Sequence, residues 1–413
     1  MTGITKNIFY LILVQAVIYL APLITLPYLT RTLNVSNYAA LGFTQSIIQY
    51  FILITDYGFG ITATRLIAIN NSDNKNISSI VANTIAIKLL LAGASAIFLL
   101  VLITCFYDIR ENTALIFACF LGVIGNALFP TWLFQGLEKM RVLALITGAS
   151  RIIPLPLFFI FVKNTDDVVI AAILQNIPGV IAAIFSFYYI YSKNIFIETK
   201  VSLSSIKTLL KEGWPVFLSN ISTSFYTTIN IVLLKIFAGT DQVAYFAATD
   251  KIRIAAQGFI QPIASALFPR IAALSQDPRK AEESKALIKR GTILLVGLEF
   301  FCGFVMYFFA ETIAERYLGK AFLPAAFYLK SLAFLPVIIA IATILSQWRF
   351  LALGESKILS NIYLIAGPLH ALYATFLTYQ YQSNGLIASL YITEISITIA
   401  MVVVARKKNI SLL

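Results

Sequence analysis

Residues 8–29 read IFYLILVQAVIYLAPLITLPYL, an apolar stretch without a single charged side chain. An α-helix of about 20 such residues crosses the hydrocarbon core of a bilayer. About eleven further stretches of this kind follow, separated by short polar loops. They lie at residues 38–64, 78–104, 112–134, 142–162, 167–191, 213–237, 241–268, 291–310, 322–348, 358–380 and 385–405.

The composition agrees with this pattern. Of the 413 residues, 59% are hydrophobic and only 12% are charged. A soluble protein of this length has no interior large enough to bury so much apolar surface, so lipid must cover it. The sequence therefore predicts an all-α integral membrane protein of about twelve transmembrane helices. Its function is expected to be transport, or chemistry on a lipid.

The basic residues are distributed unevenly between alternate loops. With the N-terminus in the cytoplasm, the cytoplasmic segments hold about 20 of the 31 Lys and Arg residues, whereas the opposite loops hold about five. Basic residues remain on the cytoplasmic side during insertion, so both termini are predicted to be cytoplasmic. Insertion and attraction to anionic lipid account for most of the net charge of +12, and no nucleic-acid partner is expected.

The chain is predicted to consist of two halves. The cytoplasmic connection 192–212 separates six spans from six, which gives an N-terminal lobe at 1–191, a linker at 192–212 and a C-terminal lobe at 213–413. A weak internal similarity supports this division, because the second span of each half ends in an Arg followed by apolar residues, at Arg65 and Arg270. Paired halves of this kind commonly form transporters with a site between them.

Ionisable residues inside the predicted spans are the main functional candidates. A charge at the bilayer centre costs at least about 2.5 kcal/mol, so these residues are expected to face partners or a cavity. Asp250 and Arg253 are three residues apart, share a helical face and can neutralise each other. If the others converge, the interior is cationic and fits a phosphate-bearing substrate; the alternative is a set of separately paired structural charges. The basic residues are Lys88, Arg151, Lys235, Lys251, Arg253 and Lys330, and the acids are Asp56, Asp250, Glu299 and Glu394.

The sequence lacks the motifs that are typical of several kinds of chemistry. The sequence has no GxxxxGK[ST] motif for nucleotide hydrolysis. Its single histidine, His370, is expected to be a hydrogen-bonded packing residue, with a role in proton coupling as the alternative. Cys105, Cys119 and Cys302 have no spacing that suggests a metal site or a disulfide framework. We therefore expect no catalytic residue, no metal and no cofactor, and we expect a transporter rather than an enzyme.

Four stretches carry a resemblance to a known family. The most specific is PTWLFQGLEKM at residues 130–140, and the others are APLITLPYLTRTL at 21–33, DYGF at 56–59 and FPRI at 268–271. With the spans around them, they resemble the Wzx-type O-antigen flippases. These proteins are polysaccharide-exporting relatives of the MATE (multidrug and toxin extrusion) transporters in the MOP exporter superfamily. The resemblance runs essentially from end to end.

This resemblance implies a MATE-like fold with two six-helix lobes. It also implies that the protein moves undecaprenyl-pyrophosphate-linked O-antigen repeat units from the cytoplasmic to the periplasmic leaflet of the bacterial inner membrane, by alternating access, during lipopolysaccharide biosynthesis. Its implied partners are this lipid-linked oligosaccharide, membrane lipids, the O-antigen polymerase and the chain-length regulator. No nucleotide hydrolysis is implied, so the energy is expected to come from an ion gradient, from the substrate gradient or from downstream consumption of the product, with H⁺ or Na⁺ as the candidate coupling ion.

Two alternative functions remain: an ion-coupled small-molecule or drug exporter of the same fold, and a polytopic enzyme that modifies a lipid-linked glycan.

The candidate site residues follow from combining the resemblance with the intramembrane charges. The candidates for binding pyrophosphate and sugar are Arg151, Lys251, Arg253, Lys88 and Lys330. The candidates for ion coupling are Asp56, Asp250 and Glu394.

Overall fold

The computed structural model describes residues 3–70, 73–195, 199–258, 260–275 and 278–408. Within these ranges the chain is helical and has no β-strand, which confirms the all-α class. The first helices are α1 Gly3–Thr32, α2 Asn34–Asp56, α3 Phe59–Ile69, α4 Asn74–Cys105, α5 Tyr107–Glu111, α6 Thr113–Leu128, α7 Thr131–Gly136, α8 Met140–Ile152, α9 Leu155–Phe161 and α10 Val168–Ser192. They are followed by α11 Leu203–Thr227, α12 Ile229–Phe237, α13 Thr240–Gln257, α14 Ile260–Ser275, α15 Ala281–Phe308, α16 Ala310–Thr312, α17 Ala325–Leu332, α18 Leu335–Ile344 and α19 Ser356–Lys407. Two π-helical segments lie at Ile313–Leu318 and Leu345–Leu351.

Ten helical runs in these ranges are long and apolar enough to cross a membrane. They cover every predicted span except 241–268. Ten runs match eleven predicted spans because the last run contains both 358–380 and 385–405. That run is interrupted at Gln382, whose φ is 51°. The stretch 241–268 is missing from the ten because α13 carries several charged residues and ends at Gln257. The count of twelve stays a prediction.

The chain folds into two compact units. Unit 1 comprises residues 1–21 and 40–221, and unit 2 comprises residues 22–39 and 222–413. Helices α1, α2 and α11 therefore each contribute residues to both units. The lobe boundaries drawn from the sequence, at 191 and 213, stay a prediction.

Unit 1 is organised around an interrupted helix. Helix α2 ends at Asp56, and Tyr57 (φ 47°) and Gly58 (φ 82°) connect it to α3. A positive φ favours glycine, and a Cβ on Gly213 of α11 would lie only 2.9 Å from the carbonyl oxygen of Tyr57. Glycines on both sides therefore allow α11 to approach this break closely. Nearby, α3 packs on α7, which contributes the buried Trp132.

Unit 2 has an apolar core around the second π-helical segment. Trp348 is fully buried there, and its Nε1 donates a hydrogen bond of 3.0 Å to the carbonyl oxygen of Ala264 in α14. Residues 22–39 join this unit through polar contacts as well as packing. The hydroxyl of Thr30 donates to the carbonyl of Leu318 at 2.6 Å, and the hydroxyl of Tyr317 donates to the carbonyl of Leu23. The accepting backbone carbonyls lie at the C-terminal end of the first π-helical segment and in α1.

Candidate functional site

Unit 2 contains a polar cavity of about 280 Å³. Its walls come from the C-terminal end of α11, from α12, α13 and α18, and from the second part of α19. The apolar part of the lining includes Leu335, Ile339 and Leu390. The polar side chains that line it are Tyr226, Thr227, Asn230, Asp250, Arg253, Gln257 and Glu394.

Arg253 is held in place by two neighbours on its own helix. Its Nε and Nη2 donate to Oδ1 of Asp250 at 2.8 and 2.6 Å, and its Nη1 donates to Oε1 of Gln257 at 2.7 Å. The spacing of three residues therefore produced the predicted neutralisation of Asp250 by Arg253. Both side chains are mostly buried, with 17% and 14% of their surfaces exposed. A partly buried, charge-assisted pair of this kind fixes the orientation of the guanidinium.

Glu394 brings a second carboxyl group to the same cavity. It lies on the second part of α19 and interacts electrostatically with Arg253 and with Tyr226. With both carboxyl groups ionised, the cavity holds two negative charges and one positive charge. The structure therefore brings together three of the predicted site residues, Asp250, Arg253 and Glu394, in a cavity that does not have the cationic balance expected for the interior.

Two glutamines carry the polar face of α13 on into α14. Gln257 is bonded to Arg253, and Oε1 of Gln261 accepts a hydrogen bond of 3.0 Å from Nε2 of Gln347. Both side chains therefore contact protein.

A second pair of predicted residues meets in unit 1. Nζ of Lys88 on α4 donates to Oδ1 of Asp56, the last residue of α2, at 3.2 Å. Lys88 is 2% exposed, whereas Asp56 is 33% exposed. The ammonium group is thus the buried member of the pair and depends on Asp56 for its counter-charge. The sequence did not predict this pairing, which joins a substrate-binding candidate to an ion-coupling candidate.

Arg151 lies near the C-terminal end of α8 and is half-buried. Within the described part of the chain its guanidinium makes no hydrogen bond or ion pair. An intramembrane guanidinium without a protein partner is costly, and it is available to an anionic ligand.

The two remaining candidates lie away from the cavity of unit 2. Lys251 is next to Asp250 in sequence, but its Nζ lies 5.5 Å from the centre of the buried ring of Tyr38. Lys330 forms an exposed ion pair of 2.7 Å with Glu311, and this bond holds the pKa of the Glu311 carboxyl below its usual value. Neither Lys251 nor Lys330 lines the cavity.

The structure also places residues that the sequence did not identify as a group. His370, Asn230, Thr393 and Tyr373 form a buried hydrogen-bonded cluster next to Glu394. Each belongs to an apolar span. His370 and Tyr373 are three residues apart on one helix, but no regular spacing links them to Asn230 and Thr393. Glu299 on α15 is fully buried, and both of its oxygens lack a hydrogen-bond partner among the described residues.

Similarity to known proteins shows which family the chain belongs to. A family model described as "Polysaccharide biosynthesis protein" matches residues 4–275. The chain is 38% identical over 400 residues, 96% of its own length and 98% of the relative's, to a Shigella dysenteriae protein named "Putative O-antigen transporter". The chain belongs to the polysaccharide biosynthesis protein family. An Escherichia coli K12 protein of the same name is 30% identical over 99% of this chain and 98% of its own. The resemblance to the O-antigen flippases is confirmed.

Solved structures of low sequence identity share the fold. An inward-facing multidrug resistance MATE family transporter of the MOP superfamily has a TM-score of 0.73 and 17% identity, covering 94% of this chain and 92% of its own. A Pyrococcus furiosus MOP superfamily transporter, described as having a binding pocket of reverse polarity, has a TM-score of 0.65 and 17% identity, covering 97% and 93%. The MATE-like fold of this family member is therefore confirmed.

Proposed function

We propose that this protein is a flippase for undecaprenyl-pyrophosphate-linked O-antigen repeat units. It moves them from the cytoplasmic to the periplasmic leaflet of the bacterial inner membrane by alternating access. The observation that carries this proposal is the similarity, over nearly the whole length of each chain, to two proteins named as O-antigen transporters. The MATE-like fold supports membrane transport rather than catalysis. The polymerase and the chain-length regulator are the proposed partners that use the product.

Arg151 is the proposed contact for the pyrophosphate. It is the intramembrane guanidinium that makes no bond to protein within the described residues, whereas Arg253 is bound to Asp250 and Gln257. A guanidinium can bind two phosphate oxygens at once, which favours it over an ammonium for a pyrophosphate group. The weaker candidates are Lys88, Lys251 and Lys330, because the ammonium group of each already contacts a carboxylate or an aromatic ring.

The cavity of unit 2 is proposed as a site for the coupling cation, H⁺ or Na⁺. Asp250 and Glu394 supply two carboxyl groups against one guanidinium, so an added positive charge balances the cavity. Its volume of about 280 Å³ is below the range of about 300–1,000 Å³ that is usual for drug-sized ligands, and an oligosaccharide is larger still. Asp56 is a second candidate, but it already neutralises Lys88.

Transbilayer movement of a labelled undecaprenyl-pyrophosphate oligosaccharide in proteoliposomes tests the flippase. We expect the protein to accelerate the movement of intact substrate, and an imposed H⁺ or Na⁺ gradient to change the rate. Conversion of the substrate in detergent would support the enzyme instead. Export of cationic drugs without movement of the lipid-linked glycan would support the small-molecule exporter.

Substitution of Arg151 tests the pyrophosphate contact. We expect Arg151→Ala to reduce flipping at least about tenfold, because a charged hydrogen-bonding partner of the head group is lost. Arg151→Lys retains the charge without the planar fork and is expected to recover only part of the rate. Lys285→Gln is the matched control, because Lys285 pairs with Glu282 on an exposed surface. Wild-type flipping by Arg151→Ala at normal protein levels would remove Arg151 from the proposed site.

A further inference from the structure

His370 lies in the first part of α19 and is fully buried. Both of its ring nitrogens have hydrogen-bond partners. Nδ1 lies 2.6 Å from Oγ1 of Thr393, on the second part of α19, and Nε2 lies 3.1 Å from Oδ1 of Asn230 on α12. Asn230 lines the charged cavity, and Thr393 directly precedes Glu394. The imidazole is therefore bonded to Asn230, which lines the cavity, and to Thr393, whose neighbour Glu394 also lines it.

Asn230 determines which atom of His370 always carries hydrogen. Its Nδ2 donates to the carbonyl oxygen of Tyr226 at 2.8 Å, which assigns the amide orientation from the hydrogen-bond network. Oδ1 of Asn230 then faces His370, and an amide oxygen can only accept. Nε2 of His370 must therefore be the donor, so Nδ1 is the nitrogen that can exchange a proton.

Thr393 can satisfy Nδ1 in both charge states. Its Oγ1 lies 2.6 Å from Nδ1 and 2.7 Å from the carbonyl oxygen of Ser389, and it shares a hydrogen bond with the hydroxyl of Tyr373. Because the single hydrogen of the Thr393 hydroxyl goes to Nδ1 or to Ser389, Tyr373 must be the donor in that third bond. When the ring is neutral, the Thr393 hydroxyl donates to Nδ1. When the ring is protonated, Nδ1–H donates to Oγ1 and the hydroxyl turns to Ser389. Neither state leaves a buried polar group without a partner.

We infer that Nδ1 of His370 is a proton-binding site linked to the charged cavity of unit 2. The lone pair of Nδ1 forms the new N–H bond with an incoming H⁺, and the only other change is rotation of the Thr393 hydroxyl. Glu394, the next residue, lines that cavity beside Arg253, and a carboxylate in the cavity favours the protonated ring over the neutral one. A cation beside Glu394 opposes that protonation, so proton uptake and cation binding weaken each other.

The charged and titratable groups around His370 support this link. Tyr226 and Tyr373 place their rings 6.4 and 5.5 Å from the imidazole. Glu394 interacts electrostatically with both tyrosines, and Arg253 lies beyond Glu394. Helix α18, which packs on α19, has no charged residue. The other cations on elements packed against α19 are Lys235, which is bonded to Thr240, and Arg349 in the second π-helical segment.

Nitrogen NMR of the protein in lipid bilayers tests the proton site directly. Because His370 is the single histidine of the chain, [¹⁵N]histidine labelling with a histidine-free affinity tag gives signals from this ring alone. Between about pH 3 and pH 9 we expect two protonated nitrogens at the acid end and the Nε2–H tautomer at the basic end. A Nδ1–H tautomer at any pH, or one neutral tautomer throughout the range, would overturn the inference.

Substitutions test the link to the cavity. We expect Glu394→Gln to lower the pH midpoint of the His370 signal by about one unit, because the negative charge that favours the imidazolium is removed. Thr393→Ser retains the hydroxyl and should preserve the titration, whereas Thr393→Val should abolish it. A midpoint in Glu394→Gln equal to that of the wild type would overturn the link.

The role of this proton in coupling rests on the proposed transport function. Flipping by His370→Asn should lose its response to a pH gradient, whereas its rate without a gradient stays measurable. The NMR measurement requires no transport, so failure of the flippase proposal and failure of the proton site are distinguishable. A response to the pH gradient that is unchanged in His370→Asn would exclude His370 from coupling.

Discussion

At the scale of single residues, the pair Lys88–Asp56 is asymmetric. Lys88 is buried and Asp56 is one-third exposed, so the two substitutions leave different groups behind. Asp56→Asn leaves a buried ammonium without its counter-charge and should cost about 3 kcal/mol of stability. Lys88→Met leaves a carboxylate that water can reach and should cost clearly less. Thermal unfolding monitored by size-exclusion chromatography in detergent measures this order.

The double variant Asp56→Asn with Lys88→Met supplies the control for that order. It removes both charges, so we expect it to be more stable than Asp56→Asn alone, with a coupling energy of about 1–2 kcal/mol in the double-mutant cycle. Equal midpoints for the two single variants would mean that burial of Lys88 is not what makes the pair important.

Contacts between residues could be predicted from the sequence only where they are local. Asp250 and Arg253 are three residues apart on one helix, so their pairing follows from helical geometry. The partners of Lys88 and Lys330 are set by which helices pack together, and Glu311 lies in a connection between spans. Spacing along the chain holds no information on such contacts. The same reason hides the cluster of His370 with Asn230, which are 140 residues apart.

At the scale of helices, close packing in unit 1 depends on glycine. A Cβ on Gly125 of α6 would lie 2.7 Å from the backbone carbonyl carbon of Gly179 on α10, whereas a Cβ on Gly93 of α4 would meet nothing within 4 Å. Gly125→Ala should therefore force the two helices apart and cost about 1–3 kcal/mol. Gly93→Ala changes the same residue type in a helix without a clash and should be neutral or stabilise by about 0.5 kcal/mol. Thermal unfolding midpoints of the two variants measure the difference, and equal destabilisation would contradict the packing argument.

The helices themselves could be predicted well, because hydropathy reports contact with lipid. All the predicted spans except 241–268 match helical runs that can cross a membrane. The exception shows the limit of that signal, since α13 carries charged residues that lower the hydropathy of the helix, and two of them, Asp250 and Arg253, line the cavity. The interruption at Gln382 lies in the gap between the predicted spans 358–380 and 385–405, whereas the break between α2 and α3 was not predicted. That break depends on a non-helical backbone conformation at Tyr57, which apolar composition does not specify.

At the scale of the whole molecule, contacts and chain order divide the protein differently. Residues 22–39 belong to unit 2 although they lie near the start of the chain, and Thr30 is bonded to Leu318. An internal similarity between halves indicates where a repeat begins, but it does not show which helix packs with which half. Helix α1 carries Pro22 at the point where its contacts change from one unit to the other. A proline frees a backbone carbonyl there, so one helix can serve both units without an unbroken hydrogen-bond ladder.

The orientation of the whole molecule in the membrane is a further testable consequence of the charge distribution. Asp166 lies in the exposed connection before α10, and Lys193 lies directly after α10, so the two mark opposite ends of one span. In a background in which the three native cysteines are replaced, Asp166→Cys should react with a membrane-impermeant maleimide added to spheroplasts, and Lys193→Cys should not. Both should react after the membrane is disrupted. The energetic reason is that basic residues stay on the cytoplasmic side during insertion, and about 20 of them lie at the Lys193 end of the spans. The reverse labelling pattern would place both termini outside and would contradict the predicted orientation of the protein in the membrane.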